Sequence, residues 1–422
     1  MIGDDFLNIN EEEEFSNLIS ECEEAFESGT LENLKFTEEE FEFLINHFID
    51  EVDDDIVYIL TKMAYTQHPY STDLIIRYAD VLIVNRELER ALDILNNQMD
   101  LDSGNSDIHF LLGRIYIKLG DDQKASEYVQ RALSLTVNEK TEMLLTASQD
   151  YIDMGKFDFA ISLLEGALKN SPDNLEIIND LAFCFERKDN LSKSLEFYEK
   201  YLDKDPFNDN VWFNIGTIYA RDLNLNKAVE AFDFAIALNP YNSSVLYNKA
   251  ILLINTGRYD EGIAVFTEFL KMEPDNIFAL IGIADAYLGK DRLDDAMKFF
   301  MMALINSDES IDANTGVAYI HMLKHEDQAA LPYLRKVIGL EGADYLFLLA
   351  ELLKTYKRTK EPEFLVYYLT ALYHTQESEL FLVYLELLVA YGEIWLARLF
   401  ELIPSLKKDD KVTGQIAKSR KK

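Results

Sequence analysis

A 34-residue cadence of large and small side chains constrains this chain more than any other feature, and it is clearest between Asn210 and Pro240. Trp212, Ile215 and Tyr219 share one face of a helix at i, i+3 and i+7. Ala228, Phe232 and Ala235 form the facing stripe of a second, antiparallel helix. Gly216, Ala228 and Ala235 are small where two helices must approach closely, and Trp212, Tyr219 and Phe232 fill the space beside those points. Pro240 then ends the second helix, because proline lacks the amide donor and restricts the residue before it.

The same phase recurs along most of the chain. It starts weakly near residue 38 with Phe41, Leu44, Phe48, Ala64 and Pro69, and tightens in the units from 72 and 106. After one extra residue it continues in units from 141, 175, 209, 243, 277 and 311. Pro332 lies inside the second helix of the unit from 311 and is expected to kink or delay it. Self-similarity at this period predicts stacked helix pairs, each burying its apolar face on its neighbours. The fold class expected is therefore all-α, an α-solenoid. Around these repeats we place an acidic leader with one amphipathic helix over 1–37, carrying Phe15, Leu18, Ile19, Cys22 and Phe26. Divergent helical hairpins are expected over 345–403 and a basic, disordered tail over 404–422, with about nine repeats over 38–344.

These units closely resemble the tetratricopeptide repeat. The resemblance implies a right-handed superhelix in which the first helix of each repeat lines a concave face. On that basis the candidate partner-binding residues are Asn179, Phe183 and Arg187, then Phe213, Asn214 and Arg221, then Tyr247, Asn248 and Ile281. Asn214 and Asn248 occupy the position where superhelical members use asparagine to hold the backbone of an extended peptide, a task suited to an amide with both donors and an acceptor. The family's clamp for chaperone C-termini needs lysine and asparagine at two fixed positions, and neither Phe110 with Arg114 nor Phe213 with Thr217 supplies them.

The formal net charge of −36 opposes nucleic acid and anionic membrane surfaces and favours neutral to basic partners. The start from Met1 to Glu14 has no basic region followed by an apolar core, which points to a cytoplasmic protein. Its Glu11 to Glu14 run reads as a solvated approach to a helix N-terminus. The longest apolar run, Leu380 to Tyr391, contains Glu386 and is too short to insert into a membrane. Phe381, Leu382, Val383, Tyr384, Leu385, Leu387, Leu388 and Val389 surround that helix on all sides, so we expect it to be covered, by the preceding hairpin with the helix from Glu393 to Ile403 or by self-association with a second copy. Cys22 and Cys184 have no CxxC partner and read as buried free thiols.

No GxxxxGK[ST] loop, GxGxxG turn or GxSxG elbow occurs in the sequence. His321 and His325 are four apart on one helix, but the residues between them are Met322, Leu323 and Lys324, so the HExxH glutamate is missing. No catalytic residue, metal site or cofactor is assigned. The function expected is a non-catalytic scaffold binding a protein or extended peptide, with a regulatory or substrate-recruiting subunit of an enzyme on another chain as the alternative.

Overall fold

The protein is seen here in a computed structural model that describes residues 4–136 and 140–421, with side chains described from Phe15 onward. Met1, the side chains of the Glu11 to Glu14 run, and Lys422 of the basic tail lie outside the described residues. Helices account for all the regular structure among the described residues. The chain divides into two compact units, Met1–Pro206 and Phe207–Lys422.

The first unit opens with α1 (Asp4–Glu27). Cys22 and Ala25 are buried, and Leu18, Ile19 and Phe26 pack against the same cluster as Phe41, Leu44 and Phe48. Phe15 stacks on Phe43 with ring centroids 4.1 Å apart. Five hairpins follow: α2 (Glu38–Asp50) with α3 (Asp54–Gln67), α4 (Thr72–Val84) with α5 (Leu88–Met99), α6 (Ser106–Leu119) with α7 (Asp122–Leu135), α8 (Lys140–Asp153) with α9 (Phe157–Asn170), and α10 (Leu175–Arg187) with α11 (Leu191–Leu202). Burial pushes the thiols of Cys22 and Cys184 up to about 12, with neighbouring carboxylates adding to the effect, so both are inert apolar fillers.

The second unit holds α12 (Asp209–Arg221) with α13 (Leu225–Leu238), α14 (Ser243–Asn255) with α15 (Tyr259–Met272), α16 (Ile277–Gly289) with α17 (Leu293–Asn306), and α18 (Ile311–Leu323) with α19 (Asp327–Val337). These are followed by α20 (Tyr345–Thr359) with α21 (Pro362–His374), α22 (Ser378–Tyr391) with α23 (Glu393–Leu402), and α24 (Asp410–Ser419). Helix α19 begins in phase and continues past Pro332 to Val337, so the proline does not delay it, and it runs for 11 residues where α17 runs for 14.

Local chemistry explains why the cadence folds this way. The first helix of successive hairpins is capped by a short polar side chain at one recurring position. Asn174, Asn208, Asn242, Asn276, Ser310 and Asp344 each accept from amides of the first turn. From α2/α3 to α20/α21 the turn between the two helices of each hairpin contains one left-handed residue, at Val52, Arg86, Gly120, Gly155, Asp189, Leu223, Gly257, Asp291, His325 and Lys360. These recur every 34 residues, with steps of 35 from Gly120 to Gly155, where the sequence carries its extra residue, and from His325 to Lys360. Left-handed backbone costs an ordinary residue about 1–2 kcal/mol, and a β-branched one most. Val52 and Leu223 are 79% and 80% exposed, so their side chains bury little in return. Val52→Gly and Leu223→Gly should each stabilise by roughly 0.5–1 kcal/mol after the added entropy of an unfolded glycine is counted. A higher denaturant midpoint is the expected reading, and a lower one would contradict the strain.

The expectation of a disordered tail is corrected. Pro404–Lys408 forms a short 3-10 turn, and α24 follows it, capped by Asp409. Leu406, Val412 and Ile416 are buried in the same cluster as Leu385 and Leu388 of α22. The Gln415 amide donates to Glu386, and Arg420 pairs with Glu393. Lysines dominate the composition of this segment, yet an i, i+4 apolar pair is enough to dock it on an apolar surface. Helix α22 is therefore covered on one side by the neighbouring helices α21 and α23, as expected, together with α24, while Leu380, Val383 and Leu387 remain exposed.

Candidate binding face

Within each unit the first helices of consecutive hairpins touch one another directly. In the first unit these contacts join α4, α6 and α8, and in the second they run from α12 through α14, α16 and α18 to α20. They form one row in each array, the row that the tetratricopeptide resemblance expects to carry the ligand-facing side chains.

In the first unit α10 carries Asn179, half-buried, Phe183, 37% exposed, and Arg187, exposed. Phe183 meets Phe157 edge to face at 6.3 Å, and the Arg187 guanidinium lies 5.7 Å over the same ring. That cation–π contact occupies one face of the aromatic pair. Beside them, burial and the neighbouring Glu176 push the Asp180 carboxyl up to about 6.

Sequence reasoning missed a buried ion network on this row. Arg114 Nε donates to Asp150 Oδ2 at 2.7 Å, its Nη1 donates to Asp80, and Lys118 Nζ reaches Asp150 Oδ1 at 2.6 Å. The Arg114 and Asp150 side chains are only 10% and 5% exposed. Four charges that look like solvated surface in the sequence are thus clasped across α4, α6 and α8.

In the second unit Phe213 and Tyr247 are half-buried and only partly available to a ligand. Phe213 sits 6.0 Å from Phe232, and Tyr247 packs on Phe266 and Phe269 at 5.5 and 5.7 Å. Asn214 is half-buried and Asn248 exposed, the latter donating to the Ser244 carbonyl of its own helix at 2.8 Å. Arg221 is exposed at the end of α12. Ile281 is corrected from a groove residue to a floor residue, since it is 8% exposed and belongs to the core cluster of Leu280, Phe300 and Val317.

Above that floor lies a cavity of about 650 Å³ lined by α16, α18 and α20, with Ile281, Asp285, Asp312, Thr315, Tyr319 and Phe347 among its walls. Thr315 and Tyr319 stand one unit on from Ile281 and Asp285, so carrying the phase forward from 277 to 311 would have found them. Phe266 packs over Gly282 and Phe300 over Gly316, so glycine on this row makes room for aromatics of the preceding hairpin. The Asp285 carboxyl opens into the cavity. Although Asp285 is exposed as a residue, partial desolvation by the walls around its carboxyl, with Asp312 next in effect, pushes it up to about 6. A raised carboxyl favours the folded state when protonated, so this stabilisation is complete below about pH 4 and lost as pH rises through 6. Asp285→Asn should therefore raise the melting temperature at pH 7.5 and change little at pH 4. A pH-independent difference would reject the assignment.

His321 pairs with Glu326 at 2.7 Å and His325 occupies the left-handed turn, so the two histidines serve separate local roles. Among the described residues no group of three or more His, Cys, Asp and Glu is disposed to hold a metal ion, and no helix is long and apolar enough to cross a membrane.

Comparison with known proteins agrees with this geometry. A family model described as tetratricopeptide repeat matches residues 85–146, 151–213 and 257–315, and a second model of the same description matches 231–264. Among curated proteins, the BBSome complex member BBS4 homolog of Drosophila melanogaster is 23% identical over 139 residues, covering 33% of this chain and 29% of that protein. The BBSome complex member BBS4 of Bos taurus is 26% identical over 149 residues, covering 35% and 28%. The chain thus spans less than a third of the length of these relatives. A solved tetratricopeptide repeat protein from Parabacteroides merdae is 17% identical with a TM-score of 0.44, covering 63% of this chain and 99% of that one.

Proposed function

Because this chain belongs to the tetratricopeptide repeat family, we propose that it is a non-catalytic scaffold that holds an extended, neutral to basic segment of a partner protein along the inner row of first helices. The observation that carries this reading is the pairing, on consecutive residues of α14, of a partly open aromatic, Tyr247, with an exposed amide, Asn248. An extended backbone can exchange the amide's local bond to Ser244 for bonds to its own peptide units, while the aromatic supplies apolar contact. The net charge of −36 favours basic segments and speeds their approach at low salt. Two of the similar proteins are named as complex members, which supports a role inside an assembly.

Asn214→Ala with Asn248→Ala tests the proposal, because neither residue is part of the apolar stripe that joins the helices. With each hydrogen bond contributing about 0.5–1.5 kcal/mol, affinity for a partner segment identified by cross-linking mass spectrometry should fall roughly five- to a hundredfold, with the melting temperature little changed. Undiminished binding by the double variant would place recognition elsewhere.

A further inference from the structure

The cavity between α16, α18 and α20 combines features that select a particular side chain. Its walls include Asp285, Asp291, Asp312 and Asp344, and no lysine or arginine stands among its lining residues. Elsewhere in this unit carboxylates are bridged to bases one hairpin away, as in Asp260 with Lys290, Asp294 with Lys324 and Asp327 with Arg358. Asp285 and Asp312 take part in no ion pair among the described residues, and the Asp344 carboxylate accepts from the Phe347 amide as a helix cap. The negative potential of the cavity is therefore left uncompensated.

A second observation is independent of charge. Thr315 is 4% exposed, lines the cavity, and its hydroxyl has no hydrogen-bond partner among the described residues. A buried helical threonine ordinarily bonds back to the preceding turn, as Thr61 does to Val57 and Thr370 does to Val366. A buried hydroxyl without a partner carries a desolvation penalty that a ligand donor would relieve. Tyr319 and Phe347 pack beside it with ring centroids 4.2 Å apart and planes tilted by 38°, and both rings border the same space. Carboxylates, a lone acceptor and an aromatic face together match a planar, delocalised cation with several donors better than a compact ammonium. At about 650 Å³ the space is within the roughly 300–1,000 Å³ of ordinary ligand pockets, enough for one long side chain and its flanking backbone.

We propose that this cavity is an arginine-specific pocket, which seats the guanidinium of the partner segment between Asp285 and Asp312, with an N–H donated to Thr315 Oγ1 and the plane laid on Tyr319 and Phe347. The proposal rests on the peptide-scaffold reading and adds the residue that sets register. Ion pairing in a cavity partly shielded from solvent is stronger than on an open surface, so this side chain anchors the segment while amides further along the row hold its backbone.

The test is selection of a displayed random dodecapeptide library on the full chain, followed by affinity measurements on a synthetic consensus peptide. The expected result is one arginine at a fixed position in the selected peptides. Asp285→Asn with Asp312→Asn should weaken the consensus peptide by at least about tenfold, and Thr315→Val by about threefold. The asparagine variants remove like-charge repulsion, so they should fold at least as well as the parent, and circular dichroism melting checks this. Selected peptides without a preferred arginine, equal affinity for a lysine-substituted peptide, or binding unchanged in the double asparagine variant would each overturn the pocket. Should the selected peptides respond to Asn214→Ala with Asn248→Ala but not to the cavity variants, the scaffold reading stands and the pocket falls. If no peptide is enriched, both fall.

Discussion

Arg114→Ala should destabilise the first unit by about 3 kcal/mol, the low end of the range for breaking a buried ion pair. The guanidinium bridges Asp80 and Asp150 across three first helices, and its removal leaves Asp150, 5% exposed, with Lys118 as its remaining cation. Lys118 keeps the loss from being larger, because it stays 2.6 Å from the same carboxylate. A paired replacement separates charge from packing. Arg114→Met with Asp150→Leu removes both desolvated groups and fills their space with carbon, and Lys118 can extend its amine to water. The double variant should recover most of the stability lost by Arg114→Ala, as a double-mutant cycle would read. Because each hairpin contacts its neighbours, accelerated hydrogen exchange should concentrate in α4 through α9. A melting point for Arg114→Ala indistinguishable from the parent would show that the network orients charges without holding the helices.

Gly216→Leu should cost about 3 kcal/mol through overpacking. A Cβ at Gly216 would stand 2.6 Å from both Cδ1 and Cε1 of Phe232, a ring only 1% exposed that is packed with Ala228 and Ala235. The ring is rigid and enclosed, so relief requires backbone movement of α12 against α13, and a branched side chain magnifies the conflict. Gly166, inside α9, is the natural comparison, since a Cβ there meets only Leu144 Cδ1 at an ordinary 3.7 Å. Gly166→Ala should gain roughly 0.5–1 kcal/mol of helix propensity. Opposite shifts in denaturant midpoint are expected at the two glycines. Equal effects at both would refute the close crossing assigned to α12 and α13.

Much of the architecture was legible because it is written in side-chain volume. Gly216, Ala228 and Ala235 mark the crossings of a hairpin by size alone, and the period follows from their recurrence. The left-handed turn was not legible, although it recurs as regularly. Val52, Arg86, Asp189, Leu223, Asp291 and His325 share that backbone conformation while sharing no side-chain property. Periodicity of conformation survives there without periodicity of composition. Ion pairing was hidden for a related reason. Asp80, Arg114 and Asp150 lie 34 and 36 residues apart, and in a chain with 76 acidic residues no single pair stands out until the helices are laid side by side. Of the candidate face, Asn248 and Tyr247 could be placed from phase, whereas the cavity could not, since its walls come from several helices that meet only once the hairpins are stacked. The docked α24 went unseen because Val412 and Ile416 are few among lysines, and amphipathic order in a short segment weighs less than composition when read without a neighbour.

The late position of α24 in the chain also has a consequence at the ribosome. Helix α22 is made before its cover, and roughly 20 residues separate the end of one from the start of the other, about one to four seconds of synthesis at ~5–20 residues per second. During that interval Phe381, Leu385 and Leu388 lack the helix that will shield them, on an element whose outer side already shows Leu380, Val383 and Leu387 to water. Until α24 docks, this stretch of the nascent polypeptide offers an apolar surface that a chaperone can shelter.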